Sequence, residues 1–560
     1  MPAEPDHPID PPLIDLPIKT ASRGFYDGFS REVTIPSKVI VSLLIMWAIF
    51  FPVSASETLS AANSSIIATF SGWYVYLVAF LMFTCFVLAL FPQSGTLRIG
   101  NPGEKPEFGR FSWFAMLFGA GIGIGMLTYS TGEPLAHFSN NPDIIRGLVD
   151  ARTAEAVRPA YIYTFLHWGF AAWGTYALVG LAIGYVAYRR NLPLTIRSAL
   201  APLFGLRLSG VWGHLVDIVA VVATILGVAV TMGIGVEQFV MGLARLGVGD
   251  WLLDPDGSSS IAAVILSLLV LVGASTISAL SGVGRGIKWL SNLNMGLSFA
   301  LLALFAIVGS AFGGLKLLGV GVWDYLRTLV PNSLTLFDAG GEFGDALVQW
   351  QLDWSVFYWA WWIAFAPFVG MFIARISRGR TIREYVFGVV LVPSLMCFFW
   401  MAMVGGTAID LELSGAAQGS IVNAAMSDQL FATLAVLLDP AVAAVVSGLV
   451  VLLLMTYLIT SADSAILIVN TINGAGESES ERNHHILFWG VALAFVVGSM
   501  LILGGIDAIR ITMIIGALPF SFVVAIMGVS ILKAVIYDLF RKHHGVPTTA
   551  QGCAEAAEGK

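Results

Sequence analysis

Gly119-Ala120-Gly121-Ile122-Gly123-Ile124-Gly125 decides the fold, because it interrupts a buried span and not a surface loop. The apolar run around it, 112–132, is long enough to cross a hydrocarbon core about 30 Å thick. Glycine costs roughly 1 kcal/mol relative to alanine in a helix interior, so alternating glycines favour local unwinding here. Five apolar runs further on, Trp359-Ala360-Trp361-Trp362-Ile363-Ala364-Phe365-Ala366-Pro367 puts a proline, which lacks a backbone donor, inside another span and predicts a second break. Corresponding interruptions in two halves of a chain mark transporters built from inverted repeats. Close helix packing through small residues is the alternative reading of the glycine run. Its fivefold offset from Pro367 favours the first.

The rest of the chain has the composition such a fold needs. Of 560 residues 57% are hydrophobic and 12% charged, with a mean hydropathy of +0.82, more apolar surface than a soluble core buries. Twelve runs read as membrane helices: 39–55, 69–91, 112–132, 160–187, 213–243, 260–280, 290–313, 354–373, 384–404, 441–471, 486–504 and 508–534. The fold class is therefore all-α and polytopic; a barrel would need short alternating strands. Cys85 and Cys397 sit in apolar runs and Cys553 on the tail, which gives neither a disulfide framework nor metal spacing. Residues 1–38 are polar and proline-rich, as expected of a cytoplasmic tail and not of a cleaved signal. With that tail inside, 22 of the 29 Lys and Arg fall on the cytoplasmic side and 6 on the outer side, the positive-inside distribution. The expected placement is the inner membrane, with both termini cytoplasmic, the C-terminal tail being 535–560.

The aromatic residues suggest what such a protein holds. Trp168, Trp173 and Tyr176 lie on the fourth span, and Trp354, Trp359, Trp361, Trp362 and Phe365 on the eighth. An interfacial belt is the usual place for a membrane tryptophan, and buried ring packing is the other plain reading. Trp361, Trp362 and Phe365, however, stand just before Pro367, too deep for headgroups. Quaternary ammonium and sulfonium groups have no N–H to donate and are held by ring faces, each contributing roughly 0.5 to 2 kcal/mol when desolvated.

Phe357-Tyr358-Trp359-Ala360-Trp361-Trp362 with Pro367-Phe368-Val369-Gly370-Met371, together with Ala374-Arg375-Ile376-Ser377-Arg378-Gly379-Arg380-Thr381-Ile382-Arg383-Glu384 and Ser281-Gly282-Val283-Gly284-Arg285-Gly286-Ile287-Lys288, resembles the signatures of the betaine/choline/carnitine transporter family. The resemblance runs from about 39 to 534. It implies two additional helices in 39–111, a first five-helix repeat in 112–313, an outer loop in 314–353, a second, inverted repeat in 354–534, and a homotrimer. Its aromatic cage falls on Trp168, Trp173, Tyr176, Trp361 and Trp362, with Trp354 nearer the outer mouth. Phe365 stands where similar betaine carriers have a third tryptophan, which leaves dimethylsulfoniopropionate open beside glycine betaine.

Choline-carrying relatives place an aspartate at the position of Gly125. Its absence points to a zwitterion whose carboxylate meets backbone N–H groups around Gly121, Gly123 and Gly125. A choline carrier using Asp217, Glu237 or Asp463 is the alternative, since intramembrane acids are functional candidates. For the coupling ion, the resemblance implies a sodium site of Thr460 and Ser461 with carbonyls of Gly119, Ile122 and Tyr457. Mid-helix hydroxyls also commonly bond back to the preceding turn. A second site would use Thr224, Thr231 and Phe368, but Val228 offers no ligand oxygen where sodium-coupled relatives often present one. The expected activity is sodium symport of a small zwitterionic osmolyte. Proton coupling, exchange, carnitine transport and a channel stand as alternatives, and neither an enzyme, an organic cofactor nor a nucleic-acid partner is expected.

Overall fold

The computed structural model describes residues 10–558 apart from 122, 281–285 and 478–482, with backbone alone for 118–121, 286–289 and 311. Its long helices are α1 (Arg31–Phe50), α2 (Pro52–Leu90), α3 (Arg110–Gly121), α4 (Ile124–Ser139), α5 (Val157–Trp168), α6 (Phe170–Arg190) and α7 (Val211–Arg245). They continue as α8 (Ile261–Leu280), α9 (Gly286–Val308), α10 (Ala311–Leu334), α11 (Phe357–Ile376), α12 (Ile382–Leu413), α13 (Pro440–Asn473) and α14 (Asn483–His543). Among the described residues ten helices are long and apolar enough to cross a membrane. Apolar side chains cover the outside, with Leu269, Ile277, Ile307 and Val445 each more than half exposed, while Glu133, His167, Arg197, Asp217 and Asp538 are buried. Large exposed apolar surface is rare on soluble monomers and is what lipid requires.

The expected break in the third span is present. α3 ends at Gly121, Gly123 is extended (φ −142°, ψ −151°), and α4 restarts at Ile124. The break expected at Pro367 is not. α11 runs through that proline without interruption, and the irregular segment lies about three turns before it, as a π-helical turn at Leu352–Val356 immediately preceding α11. Proline removes a single i→i−4 bond, and a helix packed on most sides holds its course around that loss. A break that was not expected occurs at Gly169 (φ −92°, ψ −138°), between α5 and α6. There a Cβ would meet the Phe165 carbonyl at 2.5 Å and the Tyr325 hydroxyl at 2.7 Å, and that hydroxyl accepts the amide of Phe170 at 2.9 Å.

Other spans differ in their edges. α2 is continuous over 39 residues, about 58 Å at 1.5 Å per residue, so the stretch expected to link the first two spans is helical. The stretch 314–353, expected as an outer loop, is likewise mostly helix, in α10 and Gly344–Gln351. α14 carries non-helical backbone at Gly504 and Gly505 (φ 66°), which separates the runs 486–504 and 508–534. The arginine-rich loop between α11 and α12 docks on the loop before α3. The Ile99 amide donates to Arg380 O and the Ile382 amide to Leu97 O, both at 2.8 Å, and the Arg380 guanidinium lies 3.9 Å over the Trp113 ring.

Candidate substrate site

The interruptions at Gly123 and Gly169 bring four helix segments together. Trp168 ends α5, Trp173 and Tyr176 sit on the first two turns of α6, and Trp361 and Trp362 lie on the second turn of α11. All five are buried. Trp362 stacks on Trp361 (centroids 5.0 Å, 13°) and takes Trp168 (5.2 Å, 72°) and Tyr176 (6.1 Å, 77°) edge to face. Trp173 meets Tyr176 at 5.7 Å. Gly125, on the first turn of α4, faces this group: a Cβ there would lie 3.1 Å from Trp168 Cη2 and 3.3 Å from Trp361 Cη2. Gly123 has open space beside it; Gly121 ends α3. Trp354, half-buried in the π turn, continues an aromatic column through Tyr358 to Trp362, with centroids 6.3 and 5.4 Å apart. Among the described residues the ring partner of Phe365 is Phe368 at 5.2 Å, not the cage.

Sequence reasoning missed the layer behind the cage. Glu133, fully buried on α4, accepts from His167 Nδ1 at 2.6 Å and His137 Nε2 at 3.2 Å on Oε1. On Oε2 it accepts from Trp168 Nε1 and the Tyr358 hydroxyl, both at 2.5 Å. His167 Nε2 pairs with Ser355 Oγ at 3.0 Å, and the His167 carbonyl accepts Trp362 Nε1 at 3.0 Å. Tyr129 joins the same layer, 5.9 Å from both Trp168 and Trp361. Glu133 falls one residue beyond the expected end of the third span, so it was not weighed as an intramembrane acid; the Glu133/His137 i, i+4 spacing is the signal that could have found it. Glu133, His137 and His167 hold potential ligand atoms within 4.8 Å of one another. Those of Glu133 and His167 are engaged in the hydrogen bonds above, which makes the cluster a bonding hub.

The acids that were singled out lie elsewhere. Asp217 receives Arg197 Nε at 2.6 Å and its amide at 3.1 Å. Asp463 receives Ser278 at 2.8 Å and Ser464 at 3.1 Å. Glu237 lies on the last third of α7, half-buried.

Of the expected sodium ligands, Ile122 lies outside the described residues and Gly119 is on the last turns of α3. Thr460 and Ser461 stand on α13, and Thr460 Oγ1 is 3.2 Å from the Tyr457 carbonyl. It also bonds to Thr456 O at 2.9 Å and accepts Asn294 Nδ2 at 3.2 Å. α4 and α13 converge on Gly235 of α7, where a Cβ would lie 2.6 Å from Ile124 and 2.8 Å from Leu458. The backbone break and the Tyr457–Ser461 turn are thus near neighbours. Thr224 bonds back to Ala220 O at 2.7 Å, and Thr231 and Val228 are buried on the same helix. That helix meets α11 where a Cβ on Gly227 would touch Ala364 at 3.0 Å, four residues before Phe368.

Interrupted membrane helices closing on buried rings define a transporter, and sequence comparison gives the family. A model described as BCCT, the betaine/carnitine/choline family transporter, matches residues 32–539. The glycine betaine transporter OpuD of Bacillus subtilis (strain 168) is 36% identical over 497 residues, covering 89% of this chain and 92% of that one. The osmo-independent choline transporter BetT1 of Acinetobacter baylyi is 36% identical over 503 residues, with 89% and 92% covered. The high-affinity choline transport protein of Escherichia coli (strain K12) is 37% identical over 488 residues, with 86% and 68% covered. The chain belongs to the betaine/carnitine/choline transporter family, whose members are transporters and not enzymes.

Proposed function

We propose that this protein imports a betaine-like zwitterion, glycine betaine or dimethylsulfoniopropionate, by sodium symport and alternating access. The observation that carries the reading is Gly125. It sets the unbranched start of α4 directly against the ring edges of Trp168 and Trp361. The cationic head then belongs among the rings. The carboxylate belongs at the start of α4, where the Ile124 and Gly125 amides precede the first intrahelical donors. Trp361 Nε1, buried without an acceptor, is a further donor for it. The Tyr457 carbonyl and Thr460 hydroxyl, 3.2 Å apart beside the break, support one sodium site of hard oxygen ligands. The working organisation is twelve spans in two inverted five-helix repeats, as a homotrimer in the inner membrane with both termini cytoplasmic.

Choline is the second reading, favoured by one observation: Glu133 places a carboxylate behind the cage, so a cation without its own carboxylate would still meet negative charge. The choline transporters among the relatives agree with it. Uptake of labelled glycine betaine and of choline into proteoliposomes, with and without an inward sodium gradient, tests both. Saturable, sodium-driven betaine uptake that excess choline does not inhibit supports the first reading. Uptake indifferent to sodium removes symport, and non-saturating flux would indicate a channel.

A further inference from the structure

Glu133 lies behind the cage, and the structure ties it to the cage rings through one side chain on each side. Trp168 spans the distance: its Nε1 is bonded to Glu133 Oε2 at 2.5 Å, and its ring meets Trp362 edge to face at 5.2 Å. Tyr358 does the same from α11, donating to Oε2 at 2.5 Å while stacking on Trp361 and Trp362 at 6.1 and 5.4 Å. We infer that Glu133 is the ionised counter-charge of the cage, acting through Trp168 and Tyr358 to select a substrate with a cationic head.

The hydrogen-bond inventory favours the ionised form. An indole offers only a donor, and Tyr358 OH accepts Trp168 Nε1 at 3.3 Å, so its proton is free to go to Glu133. Oε2 therefore accepts twice. On Oε1 the ionised reading has His167 donate from Nδ1, with Nε2 accepting from Ser355. His137 donates from Nε2, and its Nδ1 is buried without a partner, as a neutral ring would leave it. A proton on the carboxyl would face donors on both oxygens. Among the described residues no Lys or Arg lies within ion-pair distance of Glu133; its partners are the two histidines. The other titratable groups facing the cluster are Tyr129 and Tyr163, whose rings contact Trp168 and His137, and the nearby cation is Arg510, which lies over the Phe357 ring at 3.9 Å and whose charge reaches Tyr129. One negative charge is thus left in a low-dielectric interior, one indole width from the rings. Donation to an anion also pushes electron density into the indole, which strengthens its hold on a cation. Glu133 is a positioning residue and a source of field, not a substrate ligand.

The inference rests on the reading of the cage as a cation site, and paired ligands separate the two. Glycine betaine and 3,3-dimethylbutanoate have the same shape, but the second replaces the cationic nitrogen by carbon and is a net anion. Binding to the purified full chain is followed by tryptophan fluorescence. Glu133→Gln should weaken glycine betaine by about tenfold or more while leaving 3,3-dimethylbutanoate unchanged or tighter. Equal weakening of both ligands, or no change in either, overturns the role of charge. Glu133→Asp keeps the charge and guards against a variant that does not fold: its betaine-to-dimethylbutanoate preference should stay within about threefold of the parent whatever its absolute affinity, and loss of that preference overturns the inference. If the parent protein binds neither glycine betaine nor choline, the cation-site reading itself fails and this inference with it.

Discussion

Trp362 is fixed by contacts of two kinds. Its ring contacts both Trp361 and Tyr358 at shallow interplanar angles and takes Trp168 edge-on, while its N–H is committed to the His167 carbonyl. Leucine stays apolar but is much smaller, and it loses the ring face and the hydrogen bond. Trp362→Leu is expected to raise the KM for betaine uptake roughly tenfold, since one cation–π face contributes up to about 2 kcal/mol. Trp362→Phe, which retains a ring, should fall between; a KM unchanged in both variants would remove the cage. The aromatic residues were legible in sequence because desolvated tryptophans in mid-span have few other uses. Glu133 was not, because the partners that define it come from positions 34, 35 and 225 residues away. Pattern reading along one helix does not bring those three together.

Helix interruptions follow the same division. At Gly123 four alternating glycines make the helix locally weak, and the sequence alone exposes that weakness. Gly169 is a single glycine between Trp168 and Phe170, and only the approach of Phe165 O, Phe398 and Tyr325 to its missing Cβ shows why nothing larger fits. Pro367 is the converse case: a strong local signal overridden by packing along α11. Gly505 differs again, since its φ of 66° requires glycine even though nothing lies within 4 Å of its Cβ position. Gly505→Ala should therefore lower stability by about 1 kcal/mol through backbone strain alone. A thermal-shift assay in detergent would read this as a small fall in Tm. The buried Arg197–Asp217 pair, at 2.6 Å, belongs to a harsher class. Asp217→Asn leaves an uncompensated guanidinium and should cost about 3–5 kcal/mol, visible as loss of the monodisperse peak in gel filtration, while Arg197→Met with Asp217→Leu should recover much of it.

At the scale of the whole molecule, the proposed sodium symport sets a limit on what the protein can achieve. One sodium entering across about 100 mV releases roughly 2.3 kcal/mol, and a tenfold sodium gradient adds about 1.4. A zwitterion carries no net charge, so all of this goes into its accumulation: about 3.7 kcal/mol, or roughly 500-fold. A second sodium would raise the limit above about 10⁵-fold. The two candidate ion sites differ in what they offer. Tyr457, Thr460 and Ser461 supply oxygens beside the break in the third span, whereas Val228 supplies none between Thr224 and Thr231; both Thr224 and Thr460 bond back to the preceding turn. One sodium per cycle is the expected outcome. In proteoliposomes clamped at about 100 mV with a tenfold sodium gradient, glycine betaine uptake should balance efflux near a ratio of about 500. Thr460→Ala should abolish the sodium dependence of that ratio, because it removes the hydroxyl paired with the Tyr457 carbonyl. Balance at a ratio above about 10⁴ would require a second ion and would return Thr224, Thr231 and Phe368 to the coupling machinery.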